Sequence, residues 1–224
     1  MWLKDIEPTK YRHIASIVER LKKVAECREN SPTESVRKDA LIPMLFTQIR
    51  QPCTNYLVIP GHSSEKRKYI PIGFMTHDII VGDACRIVPN ATIFMFGIMC
   101  SNVHNAWMRT VCGRLEMRYR YTPATYNNFP WCNPTDEQKA KIEKTAQGIL
   151  DARALYPECS LADLYDELTM PPELRKAHQL NDAAVMDAYG FRKNDEITVV
   201  FITHREMVLE DCDRTITVAN GTVI

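Results

Sequence analysis

Pro134 divides this chain into two kinds of sequence. Immediately after it, Thr135-Asp136-Glu137-Gln138 has the letters of a capping box, in which a Thr side chain and a Gln side chain satisfy each other's backbone N–H groups at a helix start. Helical periodicity follows at once. Ile142, Ala146, Ile149, Leu150 and Ala154 recur on one face until Tyr156-Pro157 ends the run near Leu155. Ser160 to Asp163 caps a short helix over 161–166. Pro171-Pro172 opens another, with Leu174, Ala177, Ala184, Val185 and Ala188 inward and Gly190 as its stop.

Before Pro134 the pattern is different. Tyr56–Ile59, Lys68–Phe74, Arg86–Val88 and Ala91–Phe96 are short runs rich in β-branched and aromatic residues, bounded by prolines; such runs read as edge strands of a small mixed sheet. Helical spacing flanks them. Thr9–Arg28 places Tyr11, Ile14, Ile17, Val18, Leu21, Val24 and Ala25 on one side, and Val36–Met44 is a second helical segment broken by Pro43. Ser101 is placed to cap a helix carrying Val103, Ala106, Trp107, Thr110 and Val111, with Gly113 at its end. The expected class is α+β: a small mixed β-sheet domain with flanking helices at 1–133, then a small helical domain at 134–190. A tail at 191–224 has a strand signal at Ile197–Ile202 and no assigned role.

Charge divides along the same line. Residues 1–131 hold 18 Lys and Arg against 11 Asp and Glu, a formal +7, and residues 132–224 hold 10 against 17, a formal −7. A basic first module suits a polyanion; attraction between the two halves is the competing explanation. No apolar run approaches the ~18 residues needed to span a membrane, and no signal-peptide core is present, so a cytoplasmic protein is expected. The eight cysteines show no Cys-x-x-Cys pair and no zinc-ligand spacing, and read as reduced, mostly buried small hydrophobes.

The densest polar chemistry lies at 113–131. Arg114, Arg118 and Arg120 alternate with Tyr119 and Tyr121, and Glu116 precedes Arg118 by two. On a strand, Glu116, Arg118 and Arg120 share one face, with Leu115, Met117, Tyr119 and Tyr121 on the other. Arg donates a bidentate pair to guanine and Glu accepts from the cytosine amino group, so this row suits reading base edges. A solvated strand face with ion pairs is the bland alternative. Lys66, Arg67, Lys68 and Arg109 are candidates to hold phosphates, contacts that position a protein without reading sequence.

Catalytic constellations are largely missing. The chain has eight glycines and no Gly-x-Gly cofactor loop, and Asn127-Asn128-Phe129-Pro130-Trp131 lacks the Pro-Pro pair of an amino-methylating loop. Glu137-Gln138-Lys139 has the letters of a metal nuclease motif but falls in a capped helix start. Ser101 and His104 lack a third partner and read as a cap and a half-buried histidine. No cofactor or metal site is expected within these residues.

A family resemblance follows from the ordered motifs Tyr69–Phe74, Ile87–Thr92, Ala106–Arg109, Val111–Leu115, Tyr119–Tyr121, Tyr126–Trp131, Glu137–Lys139 and Ile149–Arg153. This string resembles the C-terminal part of MmeI-type restriction–modification enzymes, over roughly residues 1–190. There one polypeptide combines an endonuclease, an adenine-N6 methyltransferase, a target recognition domain and a small helical C-terminal domain. The resemblance implies that 1–131 is a target recognition domain binding double-stranded DNA. It implies a methyltransferase domain or subunit as partner, with S-adenosylmethionine and Mg2+ serving the intact enzyme. The Glu-x-Arg slot between Gly-Arg-Leu and Tyr-Arg-Tyr contributes to base specificity in that family, which assigns Glu116 and Arg118 to base contact. Arg114 and Arg120 are left to support or phosphate contact. The nuclease and methyltransferase regions have no counterpart here, so a fragment or split subunit is expected, and the segment after Gly190 departs from the helical ending of the family.

Overall fold

A computed structural model describes residues 2–191 and the backbone of two short paired strands near the C-terminus. The chain divides into two units, Met1–Gln51 and Pro52–Ile224.

In the first unit, helix α1 spans Ala15–Glu29 and the short α2 spans Glu34–Lys38. The helix expected from Thr9 starts later, because Pro8–Lys10 forms a separate 3-10 turn. Helix α2 likewise stops short of Met44, giving way to a 3-10 turn at Asp39–Leu41 ahead of Pro43, which has no N–H to continue it. The Arg28 guanidinium ties that segment down by donating to the carbonyls of Asp39, Ile42 and Leu45 at 2.9, 3.0 and 2.7 Å. No α1 residue is fully buried.

The second unit carries two antiparallel three-stranded sheets in place of one mixed sheet. In the first, β1 (Tyr56–Pro60) lies between β3 (Gly73–Met75) and β4 (Cys85–Pro89). In the second, β6 (Arg118–Arg120) lies between β2 (His62–Ser64) and β5 (Gly113–Leu115). Gly61 hands the chain from one sheet to the other. Its N–H donates to the Ala84 carbonyl at 2.8 Å, and a Cβ there would stand 2.4 Å from that oxygen, closer than any side chain tolerates. Of the expected strand Lys68–Phe74 only Gly73 and Phe74, beyond Pro71, enter a ladder, as the start of β3.

The larger correction is at Ala91–Phe96, which is not a strand. Thr92 caps a helix, α3 (Ile93–Met99), accepting from the Met95 N–H at 3.2 Å. Phe96, Gly97, Ile98 and Met99 are all buried. A helix enclosed on every side has no polar face, so its short aliphatic run reads like a buried strand. Helix α4 (Asn102–Val111) follows, capped by Ser101, and α5 (Pro123–Asn127) closes the basic half. The capping boxes of α6 (Asp136–Ala154) and α7 (Leu161–Leu164) both form, and α8 (Pro172–Ala188) ends ahead of Gly190 at φ +74. The strands β7 (Val218–Ala219) and β8 (Thr222–Val223) pair antiparallel; Ile197–Ile202 lies outside the described residues.

Helices from beyond Pro134 complete the core of the strands before it. Ala146, Ile149, Leu164 and Leu174 join Leu57, Ile59, Ile72, Phe96 and Met99 in one apolar cluster. A second cluster sets Ile142, Ala184 and Val185 against Ile98 and Phe129. Polar contacts cross the same boundary. Asp182 accepts from the Tyr69 hydroxyl at 2.7 Å and from the Asn102 N–H at 2.8 Å. Asn181 donates to the Gly97 carbonyl at 2.7 Å. Arg153 donates to the Ile72 carbonyl at 2.8 Å and lies over the Phe96 ring. The cysteines depart from expectation: all seven described are free thiols, but only Cys100 is buried, and Cys27, Cys53 and Cys159 are exposed.

Helices α3 and α6 meet at Gly97, where a Cβ would lie 2.8 Å from Ile142 and 3.0 Å from Ala146. Gly97→Ala is therefore expected to destabilise the fold by about 1–3 kcal/mol. Gly148→Ala in α6, with open space around it, is expected to stabilise by up to ~1 kcal/mol; denaturant unfolding of the two variants checks the contrast. Burial, aided at His178 by Arg153, holds His104 down to about 4 and His178 down to about 3. Unfolding frees both imidazoles to bind protons below the ordinary 6.5. Their contribution is thus full above that value and falls as pH drops below it, by roughly 1–2 kcal/mol each at pH ~5. Asp182, whose carboxyl burial pushes up, opposes that loss. Unfolding free energies at pH ~7 and ~5 measure the net slope.

Candidate nucleic-acid interface

Residues 113–121 form a hairpin, not the single strand expected from 116. Strand β5 leaves α4 through Cys112, Glu116 and Met117 make the turn, and β6 returns. The reversal changes who shares a face. Residues directly opposite one another on paired strands project to the same side. Leu115 therefore stands with Arg118 and Ser64, and Gly113 with Arg120 and His62. Tyr119 points the other way, buried, together with Ser63 and opposite Arg114. The outer face of this sheet thus presents Arg118, Arg120, His62, Ser64 and Leu115. His62 and Ser64 escape sequence reasoning because only strand pairing across more than fifty residues brings them there.

Glu116 stands at the hairpin tip with φ +54. That left-handed region suits glycine, and an L side chain there raises the energy by about 1–2 kcal/mol. Glu116, Arg118 and Arg120 are exposed, and among the described residues no side-chain hydrogen bond or ion pair engages them. A carboxylate and two guanidiniums are held out to solvent, one of them at a backbone position that disfavours it. A strained conformation held by its surroundings is a mark of functional sites.

The remaining basic residues sort by what they touch. Arg109 donates to the carbonyls of Arg67 at 2.9 Å and Glu65 at 3.4 Å, which fixes the basic loop. Arg114 stacks 5.1 Å from the Tyr119 ring centre, with Glu65 at 3.9 Å. Both guanidiniums are thus occupied in supporting the sheet. Asn105 donates to the Lys68 carbonyl, and the Glu65 N–H donates to the Met117 carbonyl at 3.1 Å. The loop carrying Lys66, Arg67 and Lys68 is in this way tied to both α4 and the hairpin tip. Lys66 and Lys68 are exposed.

The catalytic look-alikes are structural. Ser101 donates to the Ile98 carbonyl at 2.6 Å while capping α4. His104 is fully buried, turned to the Tyr121 hydroxyl at 3.0 Å. Phe129 is buried with its ring edge-on to His104 and Trp131, so Asn127–Trp131 is a packed closing segment. Glu137 and Lys139 lie in the first turn and a half of α6. Among the described residues no three His, Cys, Asp or Glu side chains converge as metal ligands, and no helix is long and apolar enough to cross a membrane.

Comparison with known proteins finds relatives over most of this chain. The model of the MmeI target recognition domain matches residues 1–133, and that of the MmeI C-terminal domain matches 134–210. A solved structure of the Type IIL restriction-modification enzyme MmeI in complex with DNA is 46% identical, with a TM-score of 0.79 over 87% of this chain and 26% of that one. DNA methyltransferase A of Bacillus subtilis (strain 168) is 35% identical over 213 residues, 92% of this chain and 24% of the relative. The chain spans about a quarter of the length of either relative. It belongs to the MmeI family of restriction–modification proteins, matching that family's target recognition domain followed by its C-terminal domain.

Proposed function

We propose that this chain is the sequence-specific double-stranded DNA recognition module of a type II restriction–modification enzyme and carries no catalytic residues of its own. The observation that supports this best is Glu116. A carboxylate at a left-handed turn position, beside an Arg118 with no ion-pair partner among the described residues, lowers stability and is explained by a ligand. Glu116 and Arg118 read one C·G pair, the carboxylate accepting from cytosine and the guanidinium gripping guanine in the major groove. Arg120, Lys66, Arg67 and Lys68 hold phosphates around it, while Arg109 and Arg114 keep the sheet and loop in place. The relative solved in complex with DNA supports DNA as the ligand.

The methyltransferase part of the same system is the partner, and the cytoplasm the place of action. S-adenosylmethionine and Mg2+ serve that part of the intact enzyme. Neither fits the residues here, which offer no Gly-x-Gly loop and, among the described residues, no convergent ligand set. A second reading, a non-catalytic scaffold docking on a methyltransferase subunit, draws on the first unit, where Leu41, Phe46 and Ile49 are exposed.

Affinity selection from random duplexes by the full-length protein tests the first reading. Glu116→Lys with Arg118→Asp is expected to change the selected base pair at one position, and an unchanged consensus would sink the assignment. Neutralising Lys66 or Arg120 is expected to weaken binding to all sequences alike and to flatten the salt dependence by about one unit of slope per contact. Glu116→Gly is expected to raise the thermal midpoint, by relief of up to ~1 kcal/mol at that φ, while discrimination at that position is lost.

A further inference from the structure

A single exposed leucine is ordinary on a protein surface, but Leu115 has unusual company. It is 56% exposed and enters neither apolar cluster. Its strand position sets it directly opposite Arg118, on a face otherwise made of Arg118, Arg120, His62 and Ser64. More than half exposed beside Arg118, its isobutyl group adds little to the fold. The backbone beneath it is fixed, since the turn it precedes is tied to the Lys66 loop through the Met117 carbonyl.

We propose that Leu115 is a further specificity-determining residue, reading the 5-methyl group of a thymine in the base pair next to the one read by Glu116 and Arg118. This rests on the DNA-reading function above and adds a chemical class to it. Base edges in the major groove offer one apolar group, the thymine methyl, and the minor groove offers none. Residues directly opposite across paired strands lie about 4.5–5.5 Å apart at Cα. Successive base pairs are ~3.4 Å apart along the helix axis. With Arg118 on one guanine, the neighbouring leucine therefore falls over the adjacent pair. The surrounding positive charge draws the backbone in and leaves the methyl as the natural contact for an apolar side chain.

The experiment uses the full-length protein and the duplex selected from a random pool. Each thymine of that site is replaced in turn by deoxyuridine, which removes only the methyl, and binding of the native protein and of Leu115→Ala is measured. Loss of the methyl beside the C·G pair is expected to weaken native binding about three- to tenfold, the scale of one buried methyl or slightly more. Leu115→Ala is expected to lose the same factor and to become indifferent to deoxyuridine there, with an unchanged thermal midpoint. Three results overturn the proposal: no A·T pair beside the C·G pair, deoxyuridine tolerated at that pair, or Leu115→Ala retaining the native sensitivity. The deoxyuridine series on the native protein decides the matter even if the variant misfolds. Failure to select any duplex sinks the DNA-reading function itself, and a site found with no methyl effect sinks only this inference.

Discussion

One carboxylate holds the two halves of the second unit in register. Asp182, on α8, takes the Tyr69 hydroxyl with one oxygen and the Asn102 N–H at the start of α4 with the other. Both of its acceptor atoms are therefore satisfied, as a largely buried carboxylate requires. His178, one turn earlier on α8, stacks on the Tyr69 ring at 4.1 Å and shares a hydrogen bond with Tyr165. Arg153 joins that group from α6 through the Tyr165 hydroxyl at 2.9 Å. The result is a polar seam through an apolar core, in which Asp182, His178 and Arg153 each meet a group from before Pro134.

Outward from this seam the structure becomes progressively less buried. Asp182 and Asn105 sit beneath the Lys66–Lys68 loop, through Tyr69 and the Lys68 carbonyl. Arg109 and the Met117 carbonyl extend the ties to the hairpin. At the hairpin itself the side chains of Glu116, Arg118 and Arg120 make no such contact among the described residues, and Leu115 enters neither apolar cluster. A face meant to meet a ligand needs rigid support and unspent side chains together, and this order of layers provides both.

How much of this was readable from residues alone depended on how local the signal is. The capping boxes at Thr135 and Ser160, the Ser101 cap and the Gly190 stop are contained within four or five residues, and all are present. Helix α3 reads as a strand because Ile93–Met99 has no polar side to reveal its period. The hairpin is hidden for a different reason: nothing at Leu115-Glu116-Met117-Arg118 announces a turn, since the residue at positive φ is a glutamate where glycine or asparagine is the usual signal. That missing signal is itself informative, because local preference and structure disagree where the function is proposed to lie. The places of His62 and Ser64 are set by pairing with β6, which no short window contains.

The exposed layer also bears on how such a protein can diversify. Side chains at 115, 116 and 118 enter neither core cluster, and those of 116 and 118 make no internal bond among the described residues. Exchanging them alters what the hairpin displays and leaves the packing energy below almost untouched. Tyr119, between two arginines and buried, has no such freedom. The alternation of β6 therefore separates inheritance of the scaffold from drift of the residues proposed to read DNA, one residue apart along a single strand.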